Sequence, residues 1–214
     1  MKTDTPDTIV FDIGNVLLDW NPRHLYRKLI VDESERERFL AEICTPDWNF
    51  QQDLGRSWKE AVDLLVSQHP DKANLIRAFD TRWDETVAGP ITGSVAILEE
   101  LYERGVPLFA ITNFSSEKFD LTKRRYPFLR RFRDIVVSGR ERTAKPGRAI
   151  FDVFLQRSGC RPEQCLFIDD SQLNVAMAQH VGMHAHHFEG PEGLSKALAD
   201  HGFPIGTGRS SRPA

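Results

Sequence analysis

The sequence has few cysteines, little net charge and no apolar run of membrane-spanning length. Its three cysteines show no metal-ligand spacing, and an odd, scattered set fits a reducing cytoplasm better than a disulfide framework. A net charge of −3 with both signs interspersed does not indicate nucleic-acid or membrane-surface binding. The polar residues 1–7 lack the apolar core of a signal peptide. We therefore expect a soluble, cytoplasmic protein with neither a nucleic-acid nor a membrane partner.

Apolar segments of strand length recur along the 214 residues, and helix-like segments separate most of them. The predicted strands cover residues 8–12, 107–112, 135–138, 165–169 and 183–188. Helices are expected near residues 93–104, 116–125, 147–158, 172–181 and 191–201. Strands that alternate with helices predict an α/β fold with a parallel sheet and right-handed crossovers.

The first crossover is roughly eighty residues long, well beyond an ordinary connection. It contains helical patterns near residues 22–31, 33–44, 57–68 and 71–82 but no convincing strand. We therefore expect an inserted helical module over residues 17–88, and a core formed by residues 1–16 and 89–203. The tail, residues 204–214, is rich in Gly, Ser, Arg and Pro and is expected to be disordered.

Polar side chains follow the predicted core strands. Asp12 ends the first apolar run, Thr112 ends the second, Lys145 precedes a helical stretch, and Asp170 follows a later strand. Because parallel strands bring their carboxyl ends to one edge of the sheet, we expect these groups to converge. An aspartate can attack phosphorus or an alkyl carbon as a nucleophile, and carboxylate oxygens are ligands that Mg²⁺ prefers. A lysine and a hydroxyl beside them suit phosphoryl transfer, which depends on positioning and electrostatics.

Four segments resemble the ordered motifs of the haloacid dehalogenase-like hydrolase superfamily. They are Phe-Asp-Ile-Gly-Asn-Val at 11–16, Ile-Thr-Asn at 111–113, Ala-Lys-Pro at 144–146 and Ile-Asp-Asp-Ser-Gln-Leu-Asn at 168–174. The resemblance covers residues 8 to about 202 and implies a Rossmann-like core with an inserted α-helical C1 cap. Within the superfamily, the chain is most similar to bacterial phosphatases of the α-D-glucose-1-phosphate phosphatase type and to the phosphatase domain of soluble epoxide hydrolase.

The resemblance also implies a role for each carboxylate near the first and fourth motifs. Asp12 would be the nucleophile, and Asp12, the Gly14 carbonyl and Asp170 would bind Mg²⁺. Asn174 matches the second acidic position of the fourth motif, which usually supports the metal through water. Asp169 would then lie outside the metal's ligands and orient the lysine of the third motif.

Phosphate binding and proton transfer are implied for the remaining motif residues. Thr112 and Asn113 would contact the phosphate, and Lys145 would bridge the nucleophile and the phosphate. Phosphatases of the superfamily usually carry a second aspartate two residues after the nucleophile, as general acid and base. This chain has Gly14 there, so another group must protonate the leaving oxygen or poor leaving groups react slowly. Asp19, on the segment that leads into the insertion, is a candidate substitute.

We therefore expect a Mg²⁺-dependent phosphatase that hydrolyses a small phosphorylated metabolite through an aspartyl-phosphate on Asp12. One alternative is a 2-haloacid dehalogenase, in which the same aspartate displaces halide without a metal or a proton donor. Gly14 and the acidic pair Asp169-Asp170 disfavour it, whereas the absence of an acid at position 14 is compatible with it because halide needs no protonation. A second alternative is a non-catalytic binding protein that kept the fold, since fold alone never establishes activity. Oligomeric state is not encoded in any pattern that we identify.

Overall fold

The computed structural model describes residues 5–205, which are built around a five-stranded sheet. Its strands are β1 (Thr8–Phe11), β4 (Leu108–Thr112), β5 (Asp134–Val137), β6 (Cys165–Asp169) and β7 (His184–His187). The order across the sheet is β5-β4-β1-β6-β7, and every neighbouring pair is parallel. The predicted α/β class and parallel sheet are confirmed, and β1 lies at the centre.

Both faces of the sheet are covered, because successive side chains of a strand point to opposite faces. Ile9 and Phe11 contribute to one apolar cluster and Val10 to the other. The helices that follow residue 90 are α6 (Thr92–Glu103), α7 (Ser116–Arg125), α8 (Ser138–Glu141), α9 (Arg148–Ser158), α10 (Gln172–Val181) and α11 (Pro191–Asp200). Apart from the four-residue α8, these helices lie where the sequence predicts them.

The first crossover, residues 17–88, is called the helical insertion below. It contains α1 (Pro22–Tyr26), α2 (Glu33–Glu42), α3 (Pro46–Asp53), α4 (Trp58–Gln68) and α5 (Ala73–Thr81). Two expectations for this region are wrong. Residues 46–53, for which no helix is predicted, form α3, and β2 (Leu18–Trp20) pairs antiparallel with β3 (Val87–Pro90). The two strands are three and four residues long, too short to show a period-2 pattern.

Four of the five helices of the insertion start at a local capping residue. Asn21, Asp32, Thr45 and Ser57 are N-caps, and each side chain accepts a hydrogen bond from a backbone N–H of the first turn. Pro46 occupies the first turn of α3, where its missing N–H carries no cost. Thr45-Pro46 is therefore the sequence signal that would have predicted α3.

The insertion packs on the first turn of α7. Trp58 Nε1 donates a hydrogen bond of 2.8 Å to Ser115 Oγ, and Lys118 pairs with Asp80.

No helix within residues 5–205 is long and apolar enough to cross a membrane. Of the tail predicted to be disordered, residues 206–214 lie outside the described residues.

Candidate active site

Asp12 lies directly after the central strand β1 and is 8% exposed. Its Oδ1 accepts a hydrogen bond of 2.7 Å from the backbone N–H of Ile13 and lies 2.8 Å from Lys145 Nζ. Both contacts fall on Oδ1, so Oδ2 is the oxygen available for attack on phosphorus.

Lys145 is 2% exposed, which is rare for a lysine and requires charge compensation. Its ammonium lies 2.7 Å from Asp169 Oδ2 and donates a 2.8 Å hydrogen bond to the Ile111 carbonyl, in addition to the Asp12 contact. Burial lowers the pKa of Lys145, but the carboxylates of Asp12 and Asp169 more than offset this effect, so the net pKa is raised. Lys145 therefore stays cationic beside Asp12.

Asp169 and Asp170, at the end of β6, have different environments. Asp169 is fully buried, and its Oδ1 accepts 2.8 Å hydrogen bonds from Ser171 N and Asn174 Nδ2 while Oδ2 contacts Lys145. Asn174 thus contacts Asp169. Asp170 is exposed at the surface. Its pKa is raised, mainly by burial of part of the side chain and secondly by the nearby charge of Asp169.

One oxygen from each of Asp12, Asp169 and Asp170 lies within 4.8 Å of the other two, so these residues could hold a metal ion. The predicted convergence of Asp12 and Asp170 is therefore observed. Three carboxylates around the single ammonium of Lys145 leave two negative charges uncompensated, which a divalent oxygen-bound cation would neutralise. The pKa of Asp12 is raised to about 7, mainly by burial. The charge of Lys145 lowers this pKa, whereas the charges of Asp169 and Asp170 raise it further. A cation bound beside Asp12 would favour the ionised form of its carboxylate.

Thr112 and Asn113, at the end of β4, lie at the same sheet edge but differ in their contacts. Thr112 is 1% exposed, and its hydroxyl has no hydrogen-bond partner among the described residues. Such a hydroxyl is costly unless a ligand supplies the partner. Asn113 uses its side chain on Lys145, since Oδ1 accepts from Lys145 N and Nδ2 donates to Lys145 O, both at 2.9 Å. The Asn113 amide therefore positions the Lys145 backbone.

A cavity of about 70 Å³ extends from Gly14 into the helical insertion. Its lining is mostly apolar and aromatic, with Leu18, Trp20, Trp58, Trp83, Val87 and Phe114 contributing. Gly14 does not have a positive φ, and a Cβ built on it would meet no atom within 4 Å. The Gly14 position therefore leaves space at the mouth of the cavity.

The structure does not bring Asp19 to this cavity. Leu18 and Trp20 line it, and because side chains alternate along β2, Asp19 faces the other way. Asp19 Oδ1 lies 3.0 Å from His24 Nε2 in an exposed pair. The carboxylate that does line the cavity is Asp53, which sequence reasoning missed because it is one of several polar residues on α3.

Comparison with known proteins gives a family and several relatives. The haloacid dehalogenase-like hydrolase family matches residues 6–182. The chain is 27% identical to a sesquiterpene phosphatase of Aspergillus oryzae, over 81% of this chain and 85% of that protein. It is 26% identical to acyl-CoA dehydrogenase family member 10 of Mus musculus, over 96% of this chain but only 19% of that much longer protein.

The fold is shared with solved structures of the same superfamily. A family enzyme of Bacteroides thetaiotaomicron, crystallised in complex with magnesium and inorganic phosphate, has a TM-score of 0.67 and 22% identity. The alignment covers 86% of this chain and 95% of that one. This likeness confirms the expected fold, a Rossmann-like core with a helical insertion.

Proposed function

Because the chain belongs to the haloacid dehalogenase-like hydrolase family, we propose that it is a Mg²⁺-dependent phosphomonoesterase that forms an aspartyl-phosphate on Asp12. The observation that carries this proposal is the buried Asp12–Lys145 contact at the end of β1, with Asp170 alongside it. An oriented aspartate, a fixed cation and a further carboxylate are the groups that phosphoryl transfer to a carboxylate needs.

Asp12, the Gly14 carbonyl and Asp170 would hold the Mg²⁺, and the uncompensated negative charge at the site supports this assignment. The bound cation would reduce the repulsion between the Asp12 carboxylate and the anionic ester. The family enzyme of Bacteroides thetaiotaomicron, which was crystallised with magnesium and inorganic phosphate, adds support. Asp169 is the counter-ion that positions Lys145, because both of its oxygens are already hydrogen-bonded.

The chain's own residues would then perform two displacements at phosphorus. Asp12 Oδ2 attacks the phosphorus and the ester oxygen departs, and water afterwards attacks the phosphorus and releases Asp12 and phosphate. Lys145 neutralises charge on the transferred phosphoryl group, and the Thr112 hydroxyl donates to one of its oxygens. The contacts of Asp12 Oδ1 with Ile13 N and Lys145 Nζ hold the carboxylate in a fixed orientation, so that Oδ2 can face the phosphorus.

The substrate that we propose is a small phosphate monoester whose organic group is apolar at the ester bond. The walls of the cavity above Gly14 offer aromatic rings from Trp20, Trp58 and Trp83. Its polar residues already have partners within the protein: Asn49, Asp53, Asn113 and Ser115. A sugar would leave several hydroxyls there without hydrogen bonds, which is unfavourable. The similarity to a sesquiterpene phosphatase is in keeping with this preference. We propose the helical insertion as the cap that closes over this substrate.

A metal-independent dehalogenase is disfavoured by the charge balance of the site. Displacement of halide by Asp12 requires no cation, and the site would then retain two uncompensated negative charges beside the nucleophile.

The free thiols Cys44, Cys160 and Cys165 support a cytoplasmic location, where thiols stay reduced.

The test is phosphate release from a panel of phosphate monoesters by the purified chain, with Mg²⁺ and with a chelator, together with chloride release from 2-chloropropionate. We expect Mg²⁺-dependent phosphate release and no chloride. Asp12→Asn should abolish release while the far-UV circular dichroism stays native, and Asp152→Asn, an exposed aspartate on α9, is the matched control. Chloride release without metal, or phosphate release by Asp12→Asn near the wild-type rate, would reject the proposal.

A further inference from the structure

Asp53 is the last residue of α3, and it is the carboxylate that lines the cavity beginning at Gly14. The backbone of Ser115, three residues after the end of β4, lies near this carboxylate and lowers its pKa. Asn113 lines the same cavity, and Asn49, one turn earlier on α3, places Nδ2 3.4 Å from Asp53 Oδ2. Asp53 therefore lines the same cavity as Gly14, which follows Asp12 by two residues.

The end of α3 is fixed against the core. Gly55 has φ +97, and a Cβ on it would lie 3.0 Å from the Gly139 carbonyl oxygen, so the chain approaches α8 too closely for a side chain. Gln52 is fully buried, donates to the Trp48 carbonyl at 2.7 Å and accepts from Arg56 Nε at 2.7 Å. The position of Asp53 is thus determined by packing on both sides of it.

Burial among apolar side chains is the largest influence on Asp53 and raises its pKa to about 7, while the backbone of Ser115 opposes the shift. The charged side chains on neighbouring elements have other contacts: Arg56 bonds Gln52, Glu117 accepts from Trp58 N, Lys118 pairs with Asp80, and Arg142 packs beside Gly55. The Asp53 carboxyl group is therefore able to carry a proton near neutral pH, as a general acid must.

Gly14 creates the need for such a group. In phosphatases of the superfamily that this chain resembles, the proton donor is the side chain at the position of Gly14. In this chain the space beside the Gly14 backbone is open. We propose that Asp53, supplied by α3 of the helical insertion, donates the proton to the leaving oxygen and so takes the place of a side chain at Gly14. This inference rests on the proposed phosphatase function.

One carboxyl group accounts for both proton transfers of the reaction. When Asp12 Oδ2 bonds to phosphorus, the bond from phosphorus to the ester oxygen breaks, and that oxygen takes the bonding electrons and the Asp53 proton to leave as an alcohol. Asp53, now a carboxylate, accepts a proton from the water that attacks phosphorus. The bond from Asp12 to phosphorus breaks, and Asp12 and protonated Asp53 are both regenerated. No oxidant or further reactant is needed.

The test compares Asp53→Asn with wild type on two substrates, p-nitrophenyl phosphate and an alkyl phosphate with an apolar chain. A nitrophenolate leaves readily without a proton, whereas an alkoxide does not. We expect kcat/KM on the alkyl phosphate to fall by about 10²–10⁴-fold and kcat/KM on the aryl phosphate to fall far less, because kcat/KM reports departure of the ester oxygen and not the later attack of water that both substrates share. Asp47→Asn, which removes an exposed carboxylate from the first turn of the same helix, is the control and should preserve both rates.

Two further measurements separate proton donation from a structural role. In wild type the ratio of alkyl to aryl kcat/KM should decline as pH rises through about 7, because protonated Asp53 is lost, whereas ionisations at Asp12 affect both substrates and cancel in the ratio. Adding Gly14→Asp to Asp53→Asn should restore at least about tenfold of the lost alkyl rate, since general acids contribute that much or more.

The outcomes distinguish the two proposals. Equal losses on both substrates with Asp53→Asn, or a rate ratio that does not vary with pH, would overturn the role of Asp53 and leave the phosphatase standing. Failure of wild type to release phosphate from any ester in Mg²⁺ would overturn both.

Discussion

Lys145→Met provides the most direct test of the electrostatics that hold the site together. The substitution keeps an unbranched side chain but removes an ammonium that lies 2.8 Å from Asp12 and 2.7 Å from Asp169. Both carboxylates stay buried, and loss of one partner from a buried ion pair costs about 3–5 kcal/mol. Since domains have about 5–15 kcal/mol of total stability, the variant should be close to unfolding without metal.

The assay is urea unfolding in a chelator, followed by tryptophan fluorescence, with wild type, Lys145→Met and Lys59→Met as the control. Lys59 makes an exposed pair with Asp63, so its loss should leave the midpoint nearly unchanged. Adding Asp169→Asn to Lys145→Met should recover part of the lost stability, because one unpaired buried charge is removed. A loss below roughly 1 kcal/mol for Lys145→Met, or a double variant no more stable than the single one, would refute the charge-compensation argument.

Three other changes probe separate parts of the structure. Asp170→Asn should raise the Mg²⁺ concentration needed for half-maximal phosphate release by at least about tenfold, because a ligand charge is lost, and an unchanged titration contradicts the assigned metal site. Gly55→Ala should destabilise the fold by about 1–3 kcal/mol through its positive φ and the Gly139 carbonyl, measured by urea unfolding, and unaltered stability contradicts that account. Trp58→Phe should cost about 1–3 kcal/mol in the same assay because Ser115 Oγ loses its buried donor, and a neutral result would show that the hydrogen bond does not stabilise the insertion.

The core of the fold was predictable because its signals are local. A buried parallel strand reads as an apolar run, and the five runs of this chain became the five strands of the sheet. The polar residues that end β1 and β6 follow from the same pattern, since parallel strands bring their carboxyl ends to one edge. For this reason the meeting of Asp12 with Asp170 could be predicted before any distance was known.

The insertion was less predictable, because its short elements carry weak patterns. The strands β2 and β3 pair across about seventy residues of sequence, and neither is long enough to be recognised alone. The polar helix α3 has little apolar periodicity, and only its Thr45-Pro46 start marks it. Asp19 suited the proton-donor role by its position in the sequence, but the alternation along β2 turns it away from the cavity.

The α/β class and the positions of Asp12, Lys145 and Asp170 at strand ends could be predicted from the sequence alone, because strand ends and motif spacing are local patterns. The contacts of each of these groups depend on the tertiary structure. Asp169 forms an ion pair with Lys145, and the Asn113 side chain hydrogen-bonds the Lys145 backbone. Both contacts are possible because β4 and β6 lie on either side of β1. The raised pKa of Asp53 likewise arises from long-range packing, since desolvation depends on which apolar side chains surround a carboxylate in space.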